Sequence, residues 1–96
     1  MYRIVHKRVL NPTVIAMDID APLVAAKAQA GQFIILRVDE TGERIPLTVA
    51  DADPAAGTVS VIFQVVGATT TKLNHVPEGG FLADFVGPLG RPTELE

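Results

Sequence analysis

The chain has 96 residues, which is enough for one domain, and its composition excludes several classes of protein. The net charge is −3 and the eight Lys and Arg residues are scattered, whereas nucleic-acid binding needs a basic stripe. There is no cysteine, which excludes disulfides, thiolate catalysis and cysteine-ligated metal clusters and suits a cytoplasmic location. Apolar stretches are too short to predict a membrane span, and no signal peptide is visible.

Apolar residues make up 48% of the chain, mostly Val, Ile, Leu and Ala, so the core should be aliphatic and built from strands. In the clearest strand, Val59, Val61 and Phe63 alternate with polar or outward positions at a period of two. Similar runs, separated by Gly, Pro, Asn and Asp turns, predict an all-β, six-stranded antiparallel Greek-key barrel. The predicted strands are 2–10, 13–20, 32–38, 44–51, 58–66 and 81–86, with one short helix at 68–76 after strand five.

Two segments have no strand pattern. The alanine-rich stretch 21–30 starts at Pro22 and is followed by Gly31, so it forms either a helical turn or a loop that covers one barrel end. The segment 87–92 is dense in Gly and Pro, so we expect no regular element to continue through it. We also expect a domain boundary there, with this chain as the first module of a larger protein.

The segment Arg44-Ile45-Pro46-Leu47-Thr48 is the first candidate for chemistry. Pro46 removes a backbone donor, Leu47 and Thr48 point to opposite faces, and Arg44 carries a donor fork suited to phosphate. These groups could seat a flat heteroaromatic ligand with a pyrophosphate tail. The alternative is an ordinary edge strand, because a proline inside a strand often marks an edge.

The second candidate is Gly67-Ala68-Thr69-Thr70-Thr71, where a glycine ends a strand and three hydroxyls begin a helix. Helix starts present free N–H groups that favour phosphate. The alternative is simple capping by one threonine. No phosphate-binding glycine motif of the nucleotide-hydrolase type is present.

Other catalytic patterns are missing. His6 and His75 have no metal-ligand spacing around them, so we expect both at the surface or a sheet edge, and we predict no metal site. No Ser–His–Asp or paired-carboxylate pattern supports hydrolysis, and Asp18 and Asp20 are expected to solvate the surface.

Four motifs together resemble a known family. They are Gly31-Gln32-Phe33, the strand from Arg44 to Asp51, the stretch Gly67–Leu73, and Gly87-Pro88-Leu89-Gly90. In this order and spacing they resemble the FAD-binding barrel of the ferredoxin–NADP reductase superfamily. The nearest resemblance is to the flavoprotein subunit of NADH-dependent ferredoxin–NADP oxidoreductase and sulfide dehydrogenase, and the dihydroorotate dehydrogenase electron-transfer subunit is a cousin.

The resemblance implies a role for each matching residue. Thr48 lies near the reactive flavin nitrogen, Pro46 matches the family's strand proline, and Leu47 stands where many relatives place a tyrosine against the ring. In the commonest pattern the arginine stands at the place of Ile45, so Arg44 comes one residue early and leaves the other face of the strand. The whole set implied to bind the cofactor is Arg44, Pro46, Leu47, Thr48, Phe63, Gln64, Gly67, Thr69, Thr70 and Thr71, with Phe63 and Gln64 flanking the ribityl and adenosine portion and the last four holding the pyrophosphate.

The function that this resemblance implies is a flavin-binding domain, residues 1–96, of an NAD(P)H-dependent flavoprotein reductase. It would pass electrons between nicotinamide, FAD and an iron–sulfur partner. The NAD(P)-binding domain and the iron–sulfur segment belong only to the full-length parent, so the fragment alone is not expected to be active. Expected partners are that domain and an iron–sulfur or glutamate-synthase-like flavoprotein subunit. The alternative is a non-enzymatic β-barrel interaction module.

Overall fold

The structure is a computed structural model that describes residues 1–91, and it is an all-β, antiparallel, nearly closed barrel. Two short helices accompany the strands in this part of the chain. The strands are β1 (Tyr2–Asn11), β2 (Val14–Asp20), β3 (Phe33–Arg37), β4 (Ile45–Asp53), β5 (Thr58–Gln64), β6 (Phe81–Leu82) and β7 (Asp84–Leu89), and the helices are α1 (Pro22–Ala25) and α2 (Ala68–Asn74).

The strands follow the order β6-β1-β2-β5-β4-β3-β7. Strands β3, β4 and β5 are consecutive neighbours, and β2 returns beside β5, which is a Greek-key connection. The two outer strands of this order, β6 and β7, follow one another in the chain with only Ala83 between them. The two edge strands of the sheet, β6 and β7, are therefore brought together at Ala83, the corner where the sheet nearly closes into a barrel.

The predicted count of six strands is wrong, because the run 81–86 divides into β6 and β7, which makes seven. The first part pairs with β1 through Tyr2 and Leu82, and the second pairs with β3 through Arg37 and Asp84. At the break, the N–H of Ala83 donates to the carbonyl of Arg37 at 3.0 Å. A chain that leaves one sheet edge for the other has to turn, and the turn ends the first ladder.

The expectation that no regular element continues past residue 86 is also wrong. Strand β7 runs through Gly87 and Pro88 to Leu89. It is an outer strand that pairs with β3 alone, so the missing N–H of Pro88 can face a side without a ladder. Gly87 has φ of 154° and accepts a backbone shape that other residues resist. Pro92, the last residue of the predicted exit, lies outside the described residues.

The stretch 21–30 takes both of its predicted forms in succession. Pro22–Ala25 is a single helical turn, α1, and an irregular loop follows it. The expected single helix is therefore joined by a second, shorter one. Within this turn, Val24 and Ala25 are the buried residues. Just before it, the N–H of Ala21 donates to the carbonyl of Gly57 at 2.9 Å. The segment therefore packs on the core through Ala21, Val24 and Ala25, and its role as a cover of one barrel end stays a prediction.

The barrel interior is mostly aliphatic, as the composition indicates, with Phe63 and Phe85 as its aromatic members, and it holds no buried polar or charged residue within 1–91. In the same range, no helix has the length and apolar character that a bilayer crossing would need. No cluster of His, Asp and Glu in residues 1–91 is arranged to hold a metal ion. The fully buried large side chains are Ile4, Ile15, Met17, Ile19, Ile34, Leu36, Leu73, Leu82, Val49, Val59 and Val61.

Candidate functional site

Strand β4 presents a regular alternation of side chains around the predicted ligand seat. Ile45 and Val49 are buried in the core, whereas Pro46 and Thr48 are exposed on the outer face. Arg44, just before the strand, is also exposed. Arg44 and Ile45 therefore lie on opposite faces, as the sequence predicts.

Pro46 interrupts no hydrogen bond between β4 and β3. The N–H of Val49 donates to the carbonyl of Gln32 at 2.7 Å, which fixes which β4 residues bond toward β3. In an antiparallel ladder alternate residues face the same neighbour, so Leu47 and Ile45 also bond toward β3. The backbone groups of Pro46 and Thr48 then point to the other side, toward β5.

On that other side the two strands separate. Within residues 1–91, the pairing of β4 with β5 runs from Asp53 and Thr58 to Val49 and Val61, and stops there. Beyond that point residues 46–48 of β4 have no ladder partners among residues 62–64 of β5. We call these two facing segments the seam. Because β4 lies between β5 and β3, it is not the edge strand of the alternative interpretation, and Pro46 faces the side where the pairing with β5 has ended.

The β5 side of the seam also carries backbone groups that are free of the ladder. The N–H of Val65 donates to the carbonyl of Thr13 at 2.7 Å, so Val65 and Phe63 bond toward β2. Ile62 and Gln64 then direct their backbone groups toward β4. Since Val49 bonds toward β3 and Val61 toward β2, the pairing of these two rests on the flanking bond from the N–H of Ile62 to the carbonyl of Thr48, and the backbone groups of Gln64 lie beyond that bond. Since an unpaired backbone group needs water or a ligand, the seam offers donors and acceptors along both of its edges.

The start of α2 is built by Gly67 and Thr70. The hydroxyl oxygen of Thr70 accepts the N–H of Val66 at 2.9 Å and that of Gly67 at 3.2 Å, and the hydroxyl donates to the carbonyl of Gly67 at 3.2 Å. Thr70 therefore forms one half of a capping box. The other half needs an N-cap side chain, which glycine lacks, so the first-turn N–H groups have no side-chain acceptor in the described residues.

A loop between β3 and β4, residues 38–44, is fastened to α2. The Nζ of Lys72 lies 2.7 Å from Oδ2 of Asp39, and the hydroxyl of Thr69 donates to Oε2 of Glu43 at 3.3 Å. Oδ1 of Asp39 accepts the N–H and the hydroxyl of Thr41, each at 3.1 Å. The hydrogen bond from Lys72 holds the pKa of Asp39 below its usual range. A cleft of about 210 Å³ lies between the loop and the helix.

The predicted binding residues divide by position. Thr48, Gln64 and Thr71 are exposed. Leu47 is half-buried and packs against the core, and the ring of Phe63 is only 4% exposed. The ring of Phe63 packs inside the barrel and does not reach the surface. In this arrangement its side chain cannot contact a ligand bound outside the barrel.

Arg44 is connected to the threonines of α2 only through its neighbour Glu43 in the described residues. Glu43, next to Arg44, holds the hydroxyl of Thr69. The side chain of Arg44 also lines a shallow cleft with Ile35 and Val86 on the outer face of the sheet. The strand and the threonine run therefore meet at the loop, and no described hydrogen bond joins Thr48 to the helix.

The sequence reasoning missed Asp39, Glu43 and Lys72. Their contacts join segments that are distant in the sequence, and neither a periodic pattern nor a motif marks them. The one signal present is opposite charge on the loop and on the helix, which is too common to identify a pair.

The chain is similar to proteins from several bacteria. It is 55% identical over 95 residues to a Clostridium beijerinckii protein described as an uncharacterised protein in the adh 3′ region, covering 99% of this chain and 32% of that one. It is 45% identical over 93 residues to a Thermotoga maritima homologue of the dihydroorotate dehydrogenase B (NAD⁺) electron transfer subunit, covering 97% of this chain and 33% of that protein. No protein-family model matches the sequence.

A solved structure gives the same result for the fold. The NADH-dependent reduced ferredoxin–NADP oxidoreductase, described in work on flavin-based electron bifurcation, superposes with a TM-score of 0.93 at 44% identity, covering 98% of this chain and 34% of that one. The resemblance predicted from the motifs is confirmed. The chain spans about a third of the length of the relatives it matches.

Proposed function

This chain belongs with the electron-transfer subunits related to dihydroorotate dehydrogenase B, and from that premise we propose that it is the flavin-binding domain of an NAD(P)H-dependent flavoprotein reductase. Because it spans only about a third of its relatives, the reductase activity belongs to a longer protein. Residues 1–96 would be its FAD-binding barrel domain.

The observation that carries the proposal is the seam. A flavin ring is flat, with apolar faces and a polar edge of nitrogens and oxygens. Beyond the last pair, Val49 and Val61, the N–H of Thr48 and the backbone groups of Gln64 have no ladder partner in the described residues and can bond such an edge. Pro46 keeps the β4 side stiff and removes one donor where a ring could lie close.

A second feature supports the pyrophosphate part of FAD. Gly67 begins α2 without a capping side chain, so the N–H groups of Thr69 and Thr70 stay available to an anion. Thr71 adds an exposed hydroxyl. Arg44 enters β4 next to the loop that Glu43 and Thr69 join to this helix, so a guanidinium can approach phosphate from the strand side.

When bound, FAD would accept the two electrons of a hydride together and release them one at a time. The residues of this chain would hold and orient it: Thr48 would bond the polar edge of the ring, and the start of α2 would bond the charged end. The hydride donor would bind to an NAD(P)-binding domain outside these residues. The electron acceptor would be an iron–sulfur or glutamate-synthase-like flavoprotein subunit.

The test is a titration of the chain with FAD, followed by flavin fluorescence and by co-elution. Thr48→Val keeps the β-branched shape of an exposed strand residue and removes only the hydroxyl. We expect FAD affinity to fall about three- to tenfold, the size of one lost hydrogen bond. Thr58→Val, the same change at the far end of β5, serves as the matched control and should leave affinity unchanged.

The alternative, an interaction module without a cofactor, is favoured by one observation. The outer face of the β3–β4–β7 sheet carries exposed Phe33 and Val86, at 38% and 55% exposure, beside Pro46. An apolar strip of this kind is typical of a protein contact. The same titration separates the two functions, because an interaction module shows no saturable FAD binding, and absence of binding by both this chain and its full-length parent contradicts the flavin proposal.

A further inference from the structure

The loop 38–44 is tied to α2 at two places. Asp39, at the start of the loop, pairs with Lys72 at 2.7 Å, and Glu43, near its end, accepts the hydroxyl of Thr69 at 3.3 Å. Both contacts join the loop to the same helix, and Arg44 follows Glu43 directly. The position of Arg44 relative to the helix start therefore depends on how this loop is held.

Asp39 is organised for this task. One carboxylate oxygen faces Lys72, and the other accepts the N–H and hydroxyl of Thr41. The carboxylate thus fixes both the turn of the loop and its attachment to the helix. Asp39 and Lys72 are each about half exposed, with side chains 47% and 46% accessible, so the pair is a modest fastening that a ligand or mutation can release.

We propose that Asp39 and Lys72 form a latch that positions the loop 38–44, and with it Arg44, against the start of α2, so that Lys72 acts as a positioning residue through Asp39 and not as a ligand of phosphate. The inference rests on the proposed function, since the bound group it serves is the pyrophosphate of FAD. It extends that function by adding Asp39, which lies outside the four motifs, and Lys72, a residue of the stretch Gly67–Leu73 to which the resemblance gives no role.

The geometry distinguishes this role from direct phosphate binding. Lys72 lies one turn after the start of α2 and lines the same cleft as Ala68 and Thr69, but its ammonium is engaged by the carboxylate of Asp39. If Lys72 bound phosphate directly, freeing it from Asp39 would strengthen binding. If it acts through the latch, freeing it would weaken binding. The two roles therefore predict opposite effects of one substitution.

That substitution is Asp39→Asn, which removes the ion pair but retains an oxygen that can accept from Thr41. In titrations of the 96-residue chain with FAD, we expect affinity about two- to fivefold lower, the size of one exposed ion pair. Binding of riboflavin, which has no phosphate, should not change. Asp20→Asn, at the exposed end of β2, is the control for the change in net charge.

Substitutions of Lys72, the partner of Asp39, test whether a positive charge at this position is what FAD affinity depends on. Lys72→Arg keeps a cation against Asp39 and should bind FAD as the unaltered chain does, whereas Lys72→Gln should reproduce the loss. Unchanged or tighter FAD binding by Asp39→Asn overturns the latch, as does an equal loss of riboflavin. Lys27→Gln, an exposed lysine after α1, controls for the loss of a positive charge.

Amide hydrogen exchange without any ligand separates failure of the latch from failure of the flavin proposal. The latch requires faster exchange at Thr41 and Gly42 in both Asp39→Asn and Lys72→Gln, with unchanged exchange in the core strands. Unchanged loop exchange overturns the latch, whatever the result with FAD. If neither the unaltered chain nor its full-length parent binds FAD, but the loop exchanges faster in both variants, the flavin proposal fails and the contact between the loop and the helix stands.

Discussion

The hydroxyl of Thr70 is already engaged inside the fold, and this separates it from its neighbours. It accepts from two backbone N–H groups and donates to a third backbone group. Thr71, by contrast, is exposed and has no side-chain hydrogen bond in the described residues. Any experiment that substitutes Thr70 therefore changes stability together with ligand binding.

We expect Thr70→Val to lower the free energy of unfolding by about 1–2 kcal/mol, because two N–H groups before α2 lose their acceptor. Thr71→Val should cost less than about 0.5 kcal/mol, as is usual for an exposed position. Urea unfolding followed by circular dichroism measures both. Equal costs for the two variants would contradict the capping role of Thr70.

The difference between Thr70 and Thr71 shows how far the sequence alone could predict the start of α2. Three successive threonines after a glycine suggested more hydroxyls than a cap needs, and capping by one of them was the open alternative. In the structure Gly67 is the N-cap and Thr70, at the third helical position, bonds back to it, so simple N-capping by a threonine is not found at α2. Phosphate binding by these threonines stays a prediction. Which threonine bonds back depends on the backbone turn at Gly67, and composition alone does not determine that turn.

At the scale of elements, β7 is fitted closely against β3 at Gly87. A Cβ added to Gly87 would lie 2.7 Å from Cγ2 of Ile34, and φ there is 154°. Ile34 is fully buried, so its side chain has no room to retreat. The close packing of Gly87 on Ile34 is one reason why this Gly-Pro segment forms a strand, although its sequence predicts irregular structure.

We expect Gly87→Ala to lower the free energy of unfolding by about 2–3 kcal/mol, from steric overlap with Ile34 and from the strained backbone. Gly67→Ala is the control, because its added Cβ meets nothing within 4 Å and its φ of −173° is extended. It should cost less than about 1 kcal/mol as the loss of a tolerated N-cap. Similar midpoints of the two variants in urea would count against the close fit of β7.

Strands with a clear period of two were predictable, and the places where strands end or separate were not. The alternation through Val59, Val61 and Phe63 placed β5 on the correct face. The seam was only suggested, by Pro46, because separation of β4 from β5 is set by the curvature of the whole sheet. The latch of Asp39 and Lys72 depends on a contact between distant segments, which no local pattern records.

At the scale of the whole molecule, the barrel closes through one divided strand. Leu82 on β6 and Phe85 on β7 are both buried, at 0% and 3% exposure, although an odd number of positions separates them. An unbroken strand would direct them to opposite faces. The turn at Ala83 lets the two halves serve one core while pairing with β1 and β3.

This closure should be part of the cooperative fold, although β6 has only two residues. We expect Leu82→Ala to lower the free energy of unfolding by about 2–4 kcal/mol, since it leaves a cavity in the core. That is a large share of the total of about 5–15 kcal/mol typical of a small domain. Leu23→Ala, at a leucine that is 86% exposed on α1, should cost less than about 0.5 kcal/mol.

Urea unfolding, followed in parallel by circular dichroism and by tyrosine fluorescence from Tyr2, measures this closure directly. Tyr2 pairs with Leu82, and its ring lies 5.8 Å from that of Phe85, so it reports on the corner itself. Coincident transitions at a lowered midpoint are expected, because one core contains both halves of the divided strand. An early fluorescence change with an unshifted dichroism transition would show that the corner opens by itself, and that the barrel holds together without β6.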